Sequence, residues 1–351
     1  MRLARAAVLG AAALTAAAVT AAPVGAATND PLYSVQWGPQ QIHAQRAWST
    51  STGAGTVIAV VDTGVALGHA DLQGKLLPGA TFINCYPSCG NGSWKGPDGV
   101  GQAEDAHGTH VAGIAAADTG NGIGIAGVAR DAKILPVKVL ENGSGSYPDI
   151  AHGVRWAANH GADVINLSLG GVQGTQLLTI TGLDTTLSDA IAYAHSKGVA
   201  VIAAAGNDSI PVCNDPGFDA DVLCVVATDK RELRAAYSSG PVKPDLNTVS
   251  APGGSSLPVC GEDIVSTVPA GTSTSGATCG YGGAYDEYAG TSMAAPHVSG
   301  VAALLAAQGR TVGQIYTALT STARTPGVGL RGTFTPTYGY GIVDAAAAVT
   351  S

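Results

Sequence analysis

Charge is scarce in this sequence: only 12% of its 351 residues are Asp, Glu, Lys or Arg. The few charges lean acidic, Lys+Arg 17 against Asp+Glu 25, for a formal net charge of −8. Nucleic-acid binding depends on a basic surface that displaces counterions, so that partner class is not expected. Aromatic residues are thin as well, with Phe 3 and Trp 4, which leaves core packing mainly to Ala, Val, Ile and Leu. No long apolar run follows the first thirty residues, so no membrane anchor is expected in the mature chain. Low charge together with 46% hydrophobic content also excludes a disordered chain. The length allows one large domain or two ordinary ones.

The chain opens like an export signal. Arg2 and Arg5 precede an apolar run from Ala6 to about Ala22, which Thr15 and Thr20 interrupt and Pro23 closes. Small residues at Val24, Ala26 and Ala27 offer a cleavage site after Ala26 or Ala27. The expected division is a signal peptide over 1–26 and one secreted, soluble domain over 27–351, with a monomer expected. Six cysteines fall into three local groups: Cys85 with Cys89, Cys213 with Cys224, and Cys260 with Cys279. Export and an even count point to disulfides. Six cysteines permit fifteen connectivities, which sequence does not choose among. Near-neighbour pairing is expected because each pair sits in one Gly/Pro/Ser-rich segment. A zinc site at Cys85-x-x-x-Cys89 would lack a second ligand pair nearby.

Short β-branched runs alternate with helical stretches through the rest of the chain. Strands are predicted at Thr56–Asp62, Lys133–Leu140, Asp163–Leu169, Val199–Ala205 and Asp221–Thr228. Helices are predicted at Ile150–His160, Thr186–Lys197 and Ser292–Gln308, the last apolar nearly all round and so buried. Near-continuous apolar strands alternating with helices imply an α/β fold, a three-layer sandwich with a mostly parallel central sheet. No repeat or low-complexity linker splits it.

In such sheets ligands bind beyond the carboxyl ends of the strands. Asp62 ends the first strand, Asn207 follows the fourth, and His107 and Ser292 each stand where an apolar helix begins. Four polar residues of catalytic types are therefore expected on one edge of the sheet. They lie in Val60-Val-Asp-Thr-Gly64, His107-Gly-Thr-His-Val-Ala-Gly113, Ala203-Ala-Ala-Gly-Asn207 and Gly290-Thr-Ser-Met-Ala-Ala-Pro296. In that order these stretches resemble the subtilisin-like serine peptidases, a likeness running from Asn29-Asp-Pro to Gly339-Tyr-Gly-Ile-Val-Asp344. The opening NDPLYSVQWGPQQI is most similar to the thermitase-like branch.

Chemistry fits each position independently. A serine hydroxyl needs a base within hydrogen-bond reach before it can attack a carbonyl. His107 would take that proton near neutral pH and return it to the leaving amine. Asp62 would hold the imidazole tautomer and stabilise its cation. The Asn207 side-chain amide and the Ser292 backbone N–H, at a helix's positive end, would donate to the oxyanion. The expected activity is a secreted serine endopeptidase that cleaves polypeptides through an acyl-enzyme, without a catalytic cofactor.

Other readings compete. Taken singly, Ser292 reads as an N-cap and Asp62 or Asn207 as turn residues. His107 and His110 form H-x-x-H, but Gly108 stands where a zinc peptidase needs Glu, and His110 is expected to pack inside its helix. Asp-Thr-Gly also marks aspartic peptidases and occurs at Asp62 and Asp118, a spacing too short for two β-rich lobes. A secreted binding protein that kept the fold and lost catalysis is the rival from another class.

The resemblance implies more. Gly143-Ser144-Gly145 and Ser168-Leu169-Gly170 resemble the family's two substrate-binding segments, between which an extended peptide lies as an added strand. With Ala203–Ala205, the second segment would wall a roomy uncharged pocket, implying broad cleavage after apolar or aromatic residues. The cysteine-containing insertion Asp208–Cys224 departs from the family's simpler loop and bears on that pocket's depth. A structural calcium is implied at Asp30, Asp71 and Asn121 through side chains and at Asp118, Ile123 and Ile125 through carbonyls, six oxygens in all. Because Asn29-Asp-Pro follows the expected cleavage site so closely, folding without the family's usual prosegment is expected.

Overall fold

The computed structural model describes residues 28–83, 106–171 and 185–351. The expected export signal and the Cys85–Cys89 pair lie outside the described residues. Seven strands form one parallel sheet: β1 (Val57–Asp62), β2 (Ala80–Thr81), β3 (Lys133–Lys138), β4 (Val164–Leu167), β5 (Ala200–Ala204), β6 (Val222–Thr228) and β7 (Thr248–Pro252). Their spatial order is β2-β3-β1-β4-β5-β6-β7. Parallel pairing runs in register from Val57 opposite Lys133 to Asp62 opposite Lys138, so Asp62 stands at the carboxyl end of a central strand.

Alternation along β1 shows how the sheet divides the interior. Ile58 and Val60 point into one apolar core, with Val111, Met293, Val298 and Leu319. Ala59 and Val61 point into the other, with Ile150, Val154, Leu187 and Ile191. The helices His107–Ala116, Thr291–Ala306 and Val312–Thr322 thus cover one face, and Tyr147–Asn159 and Thr186–Ser196 the other. This is the expected three-layer α/β arrangement, in which a strand buried on both faces has no reason to alternate polar with apolar residues.

Helix Thr291–Ala306 is almost wholly enclosed. Every residue in it is buried except Ser292 and Ala306, so the nucleophile candidate is the one point where its first turn meets solvent. Helix Tyr147–Asn159 begins three residues earlier than predicted. Ser146 caps it by accepting from the Asp149 N–H at 3.2 Å, and Pro148 sits in its first turn, where a missing N–H costs nothing.

Strand β7, the pair β8 (Ile264–Thr267) and β9 (Tyr285–Tyr288), and helix Val312–Thr322 were not anticipated. β7 is a sheet edge ending in Pro252, which makes it poor in apolar signal. β8 and β9 pair antiparallel outside the main sheet. The helix carries a capping box from Thr311 to Gln314, a legible signature in T-V-G-Q. Disulfides join Cys213 to Cys224 and Cys260 to Cys279, the expected near-neighbour pairs.

Candidate active site

The β1 ladder ends at Asp62, and the chain turns through Thr63 and Gly64, whose φ is 107°. Helix His107–Ala116 docks directly on this turn. A Cβ on Gly108 would stand 2.2 Å from the Gly64 carbonyl oxygen, and the Gly108 N–H donates to Thr63 Oγ1 at 3.0 Å. Only glycine after His107 lets the helix come this close, and the approach brings His107 Nδ1 to 2.7 Å from Asp62 Oδ1. The same oxygen accepts the Thr63 N–H at 2.7 Å. The Asp62 side chain is wholly buried, whereas His107 keeps 28% of its side chain exposed. Its other ring nitrogen is turned from the carboxylate.

Ser292 belongs to the same cleft as His107. His107 and Ser292 line one open cleft of about 710 Å³, together with Thr63. The Ser292 hydroxyl lies 3.2 Å from the Ser168 carbonyl oxygen. Asn207, on the loop after β5, is oriented by the serine's own helix: its Oδ1 accepts from Thr291 N–H and Thr291 Oγ1, both at 2.9 Å. That leaves Nδ2 directed elsewhere. A Cβ built on Gly290 would sit 3.6 Å from Asn207 Nδ2 and 3.6 Å from the Ser292 backbone nitrogen. Two N–H donors thus flank one small space beside Ser292, kept open by a glycine. Sequence inspection found Asn207 but missed Thr291, whose position directly before the serine was the available signal.

Both predicted glycine-rich segments reach the cleft. Gly143, Ser144 and Gly145 line it together with Ser168, Leu169 and Gly170. The first is the tip of a tight hairpin in which Glu141 and Ser144 exchange backbone hydrogen bonds at 2.7 and 3.0 Å. Asn142 and Gly143, with φ 50° and 74°, make its two central residues, the Asn-Gly preference of such turns. Leu140, Tyr147 and Ile150 add an apolar wall that sequence inspection missed. Ala203–Ala205 do not line the cleft: they are buried in β5 and just beyond. Ala205 packs with Cys213, Cys224 and Val226, and the Asn214 side chain sits where a Gly206 side chain would point. The Asp208–Cys224 insertion has folded over this flank.

His110 is buried, as expected, and stacks on Tyr288 at 4.4 Å between ring centroids. Its imidazole is pushed down to about 3 by burial, which keeps it neutral. Asp118 does not join Asp62. It follows the histidine helix, its N–H donates to the Asp71 carbonyl at 2.9 Å, and its carboxylate faces Gly74 and Lys75. An aspartic dyad is therefore absent.

The residues expected at calcium form a separate cluster. Asp30 and Asp71 are both buried, and among the described residues neither joins an ion pair. Asp30 accepts from the Gly120 and Asn121 N–H groups, at 2.8–3.2 Å. Asp71 accepts from the Ile125 N–H and from Asn121 Nδ2, each at 2.8 Å. Burial pushes the Asp71 carboxyl up to about 6 against these bonds, and the nearby Asp30 charge adds to the rise. Gly120 and Gly122, with φ 82° and 79°, let the loop curl around the pair. Two buried acids sharing a loop without a cation are the donor chemistry a hard divalent ion fits. The Asn121 amide, which now donates to Asp71, would have to release that bond.

Comparison with known proteins agrees with this geometry. The Peptidase S8 description, "Subtilase family", matches residues 53–341. Thermitase of Thermoactinomyces vulgaris is 41% identical over 299 residues, covering 84% of this chain and 91% of that protein. The thermophilic serine proteinase of Bacillus sp. strain AK1 is also 41% identical, but the match spans 63% of its length. The extracellular protease of Xanthomonas campestris pv. campestris is 38% identical over 92% of this chain and 57% of its own. Among solved structures, a protease from Pseudoalteromonas arctica superposes with a TM-score of 0.75 at 36% identity, covering 92% of this chain and 98% of that one. Fervidolysin of Fervidobacterium pennivorans, described as a keratinolytic enzyme related to subtilisin, gives 0.71 at 31% identity, over 92% of this chain and 46% of that one. Sequence, sheet order and the cleft at the strand ends agree, and the chain belongs to the subtilase family as a serine-type endopeptidase.

Proposed function

We propose that this chain hydrolyses peptide bonds in extracellular proteins through an acyl-enzyme on Ser292. The observation that carries the reading is the 2.7 Å contact between His107 Nδ1 and buried Asp62, with His107 and Ser292 lining one cleft. Asp62 accepts the Nδ1 proton, which leaves the lone pair on Nε2 and makes that atom the base. As the Ser292 Oγ–carbon bond forms, the hydroxyl proton passes to Nε2. The negative charge then moves onto the former carbonyl oxygen, where Asn207 Nδ2 and the Ser292 N–H donate to it. His107 returns the proton to the departing amine, and a water molecule repeats the sequence to release the acid. The substrate lies extended between Gly143–Gly145 and Ser168–Gly170, where absent side chains allow backbone approach. Leu140, Tyr147, Ile150 and Leu169 line this cleft and favour apolar residues in the peptide.

Secretion is supported by the opening residues and by relatives named extracellular proteases. Among the described residues no helix is long and apolar enough to cross a membrane. Asp30, Asp71 and Asn121, with the carbonyls of Asp118, Ile123 and Ile125, are proposed to hold calcium. A bound ion would neutralise the two acids and tie the segment after Thr28 to the core.

A fluorophosphonate, with the modified residue located by mass spectrometry, tests the mechanism. Labelling is expected on Ser292 alone, and Ser292→Ala should lower casein hydrolysis by about 10⁶-fold, the scale seen when a subtilisin loses its serine. An unlabelled protein that is folded would return the silent binding-protein reading.

A further inference from the structure

The helix that presents Ser292 has a defect at its start. Pro296 lies inside it, four residues after Ser292. Proline has no N–H, so the Ser292 carbonyl loses the helical donor it would otherwise receive from position 296. That carbonyl adjoins the nucleophile, and an unmet buried acceptor is costly and free to shift. The structure supplies a replacement from another layer. Ser168 Oγ donates to the Ser292 carbonyl at 2.7 Å.

Ser168 is itself oriented from behind. Asn166 Nδ2 donates to Ser168 Oγ at 2.9 Å, and Ser299 Oγ donates to Asn166 Oδ1 at 2.8 Å. Asn166 and Ser299 are fully buried and Ser168 is 2% exposed. Donation therefore runs one way, from Ser299 to Asn166 to Ser168 to the Ser292 carbonyl. Because Asn166 already donates to Ser168 Oγ, the Ser168 hydroxyl hydrogen is left to point at Ser292. The chain begins and ends on the same helix, seven residues apart, and crosses β4 between. On its other side Ser292 is flanked by Thr291, which Asn207 holds by two hydrogen bonds. Ser168 also lines the substrate cleft, so the wall that receives the peptide and the backbone that carries the nucleophile share one hydrogen bond.

We propose that Ser168, through its hydroxyl, is a positioning residue for Ser292, that Asn166 and Ser299 set the direction of its hydrogen bond, and that it replaces the helical donor removed by Pro296. The hydroxyl acts on Ser292 through the backbone and takes no part in the chemistry. The inference rests on Ser292 being the nucleophile.

The test is a rescue. Ser168→Ala should lower kcat about tenfold with KM changed less than twofold. Tenfold corresponds to about 1.4 kcal/mol, near the upper end of the net worth of one hydrogen bond. Adding Pro296→Ala restores an N–H in reach of the Ser292 carbonyl, and the double variant should recover kcat to within about threefold of the parent. Ser299→Ala, which removes only the far donor, should lower kcat by a smaller factor with KM unchanged. It serves as the second variant if Ser168→Ala does not fold. Active sites are counted by fluorophosphonate titration of a separate sample, so each rate is referred to the concentration of folded, titratable protein. A labelled Ser168→Ala with unchanged kcat, a double variant no faster than Ser168→Ala, or a Ser299→Ala with unchanged kcat would overturn the proposal. Failure of the parent to label at Ser292 would instead remove the mechanism beneath it.

Discussion

The amide of Asn207 is oriented from one side, because Thr291 donates twice to its oxygen and leaves the nitrogen facing the space beside Gly290. A leucine at 207 would keep much of the volume and lose both functions. Asn207→Leu is expected to lower kcat by about 10²–10³-fold with KM nearly unchanged, the loss that follows removal of such a donor from a subtilisin. Progress curves on a chromogenic peptide separate the two constants. A rise in KM of similar size would mean that Asn207 holds the ground-state substrate instead.

Helix His107–Ala116 meets the strand β1 turn through one residue without a side chain. Gly108→Ala puts a methyl group against the Gly64 carbonyl, and backbone cannot rotate away as a side chain can. The helix must move, which should cost about 1–3 kcal/mol of stability as overpacking does and lengthen the contact between His107 and Asp62. Thermal unfolding should show a lower Tm, and kcat should fall with it. Full activity at unchanged Tm would disprove the close docking. The short helix Ala345–Ala348 makes a different prediction, about pH. Asp344 caps it, accepting from the Ala347 N–H at 3.1 Å, and pairs with His43 at 3.2 Å and Arg331 at 2.7 Å. Burial opposes ionisation of this carboxyl, but these three partners outweigh burial and hold it well below the usual carboxylate range. A depressed folded-state pKa means that the unfolded chain takes up the proton first. The stability Asp344 contributes is thus complete above about pH 4, the ordinary Asp range, and is lost as pH falls further. Asp344→Asn should lower Tm at pH 6 and flatten its decline between pH 5 and 3. Parallel Tm–pH curves would contradict this.

Across the whole molecule, stability depends on ties between segments distant in sequence. The Asp30 carboxylate reaches Gly120 and Asn121, and Asn121 in turn donates to Asp71. If calcium occupies this cluster, removing it leaves two buried acids to repel each other. A chelator should then lower the Tm of an inactive Ser292→Ala protein, since a ligand bound only to the folded state stabilises it by mass action. Asp71→Asn should largely abolish that response. An unchanged Tm on chelation, followed by calorimetry showing no calcium uptake, would reject the site. The two disulfides among the described residues act locally by comparison, closing loops of separation 11 and 19.

Strands β1, β3, β4, β5 and β6 were legible within one or two residues, because full burial on both faces demands continuous β-branched and aliphatic runs. The helices at Thr186 and Thr291 were legible for a similar reason. Asp62 and Asn207, which follow apolar strands, and His107 and Ser292, which open apolar helices, could be picked out because polar groups at such element ends can converge on one sheet edge. β7, β8 and β9 were not, because their polar and proline residues are satisfied by partners far along the chain, such as Gly341 for Ser250. Composition and pattern alone therefore determined the layers and the residues at their edge. Tertiary structure alone decided that Thr291 binds the oxygen side of the Asn207 amide, and that Ala203–Ala205 are withdrawn from the cleft, with the Asp208–Cys224 insertion folded over their flank. It also decided that Ser168 turns its hydroxyl to the Ser292 carbonyl. These are orientations of hydrogen-bonding groups, set by donors and acceptors that come within about 3 Å only after the layers have packed.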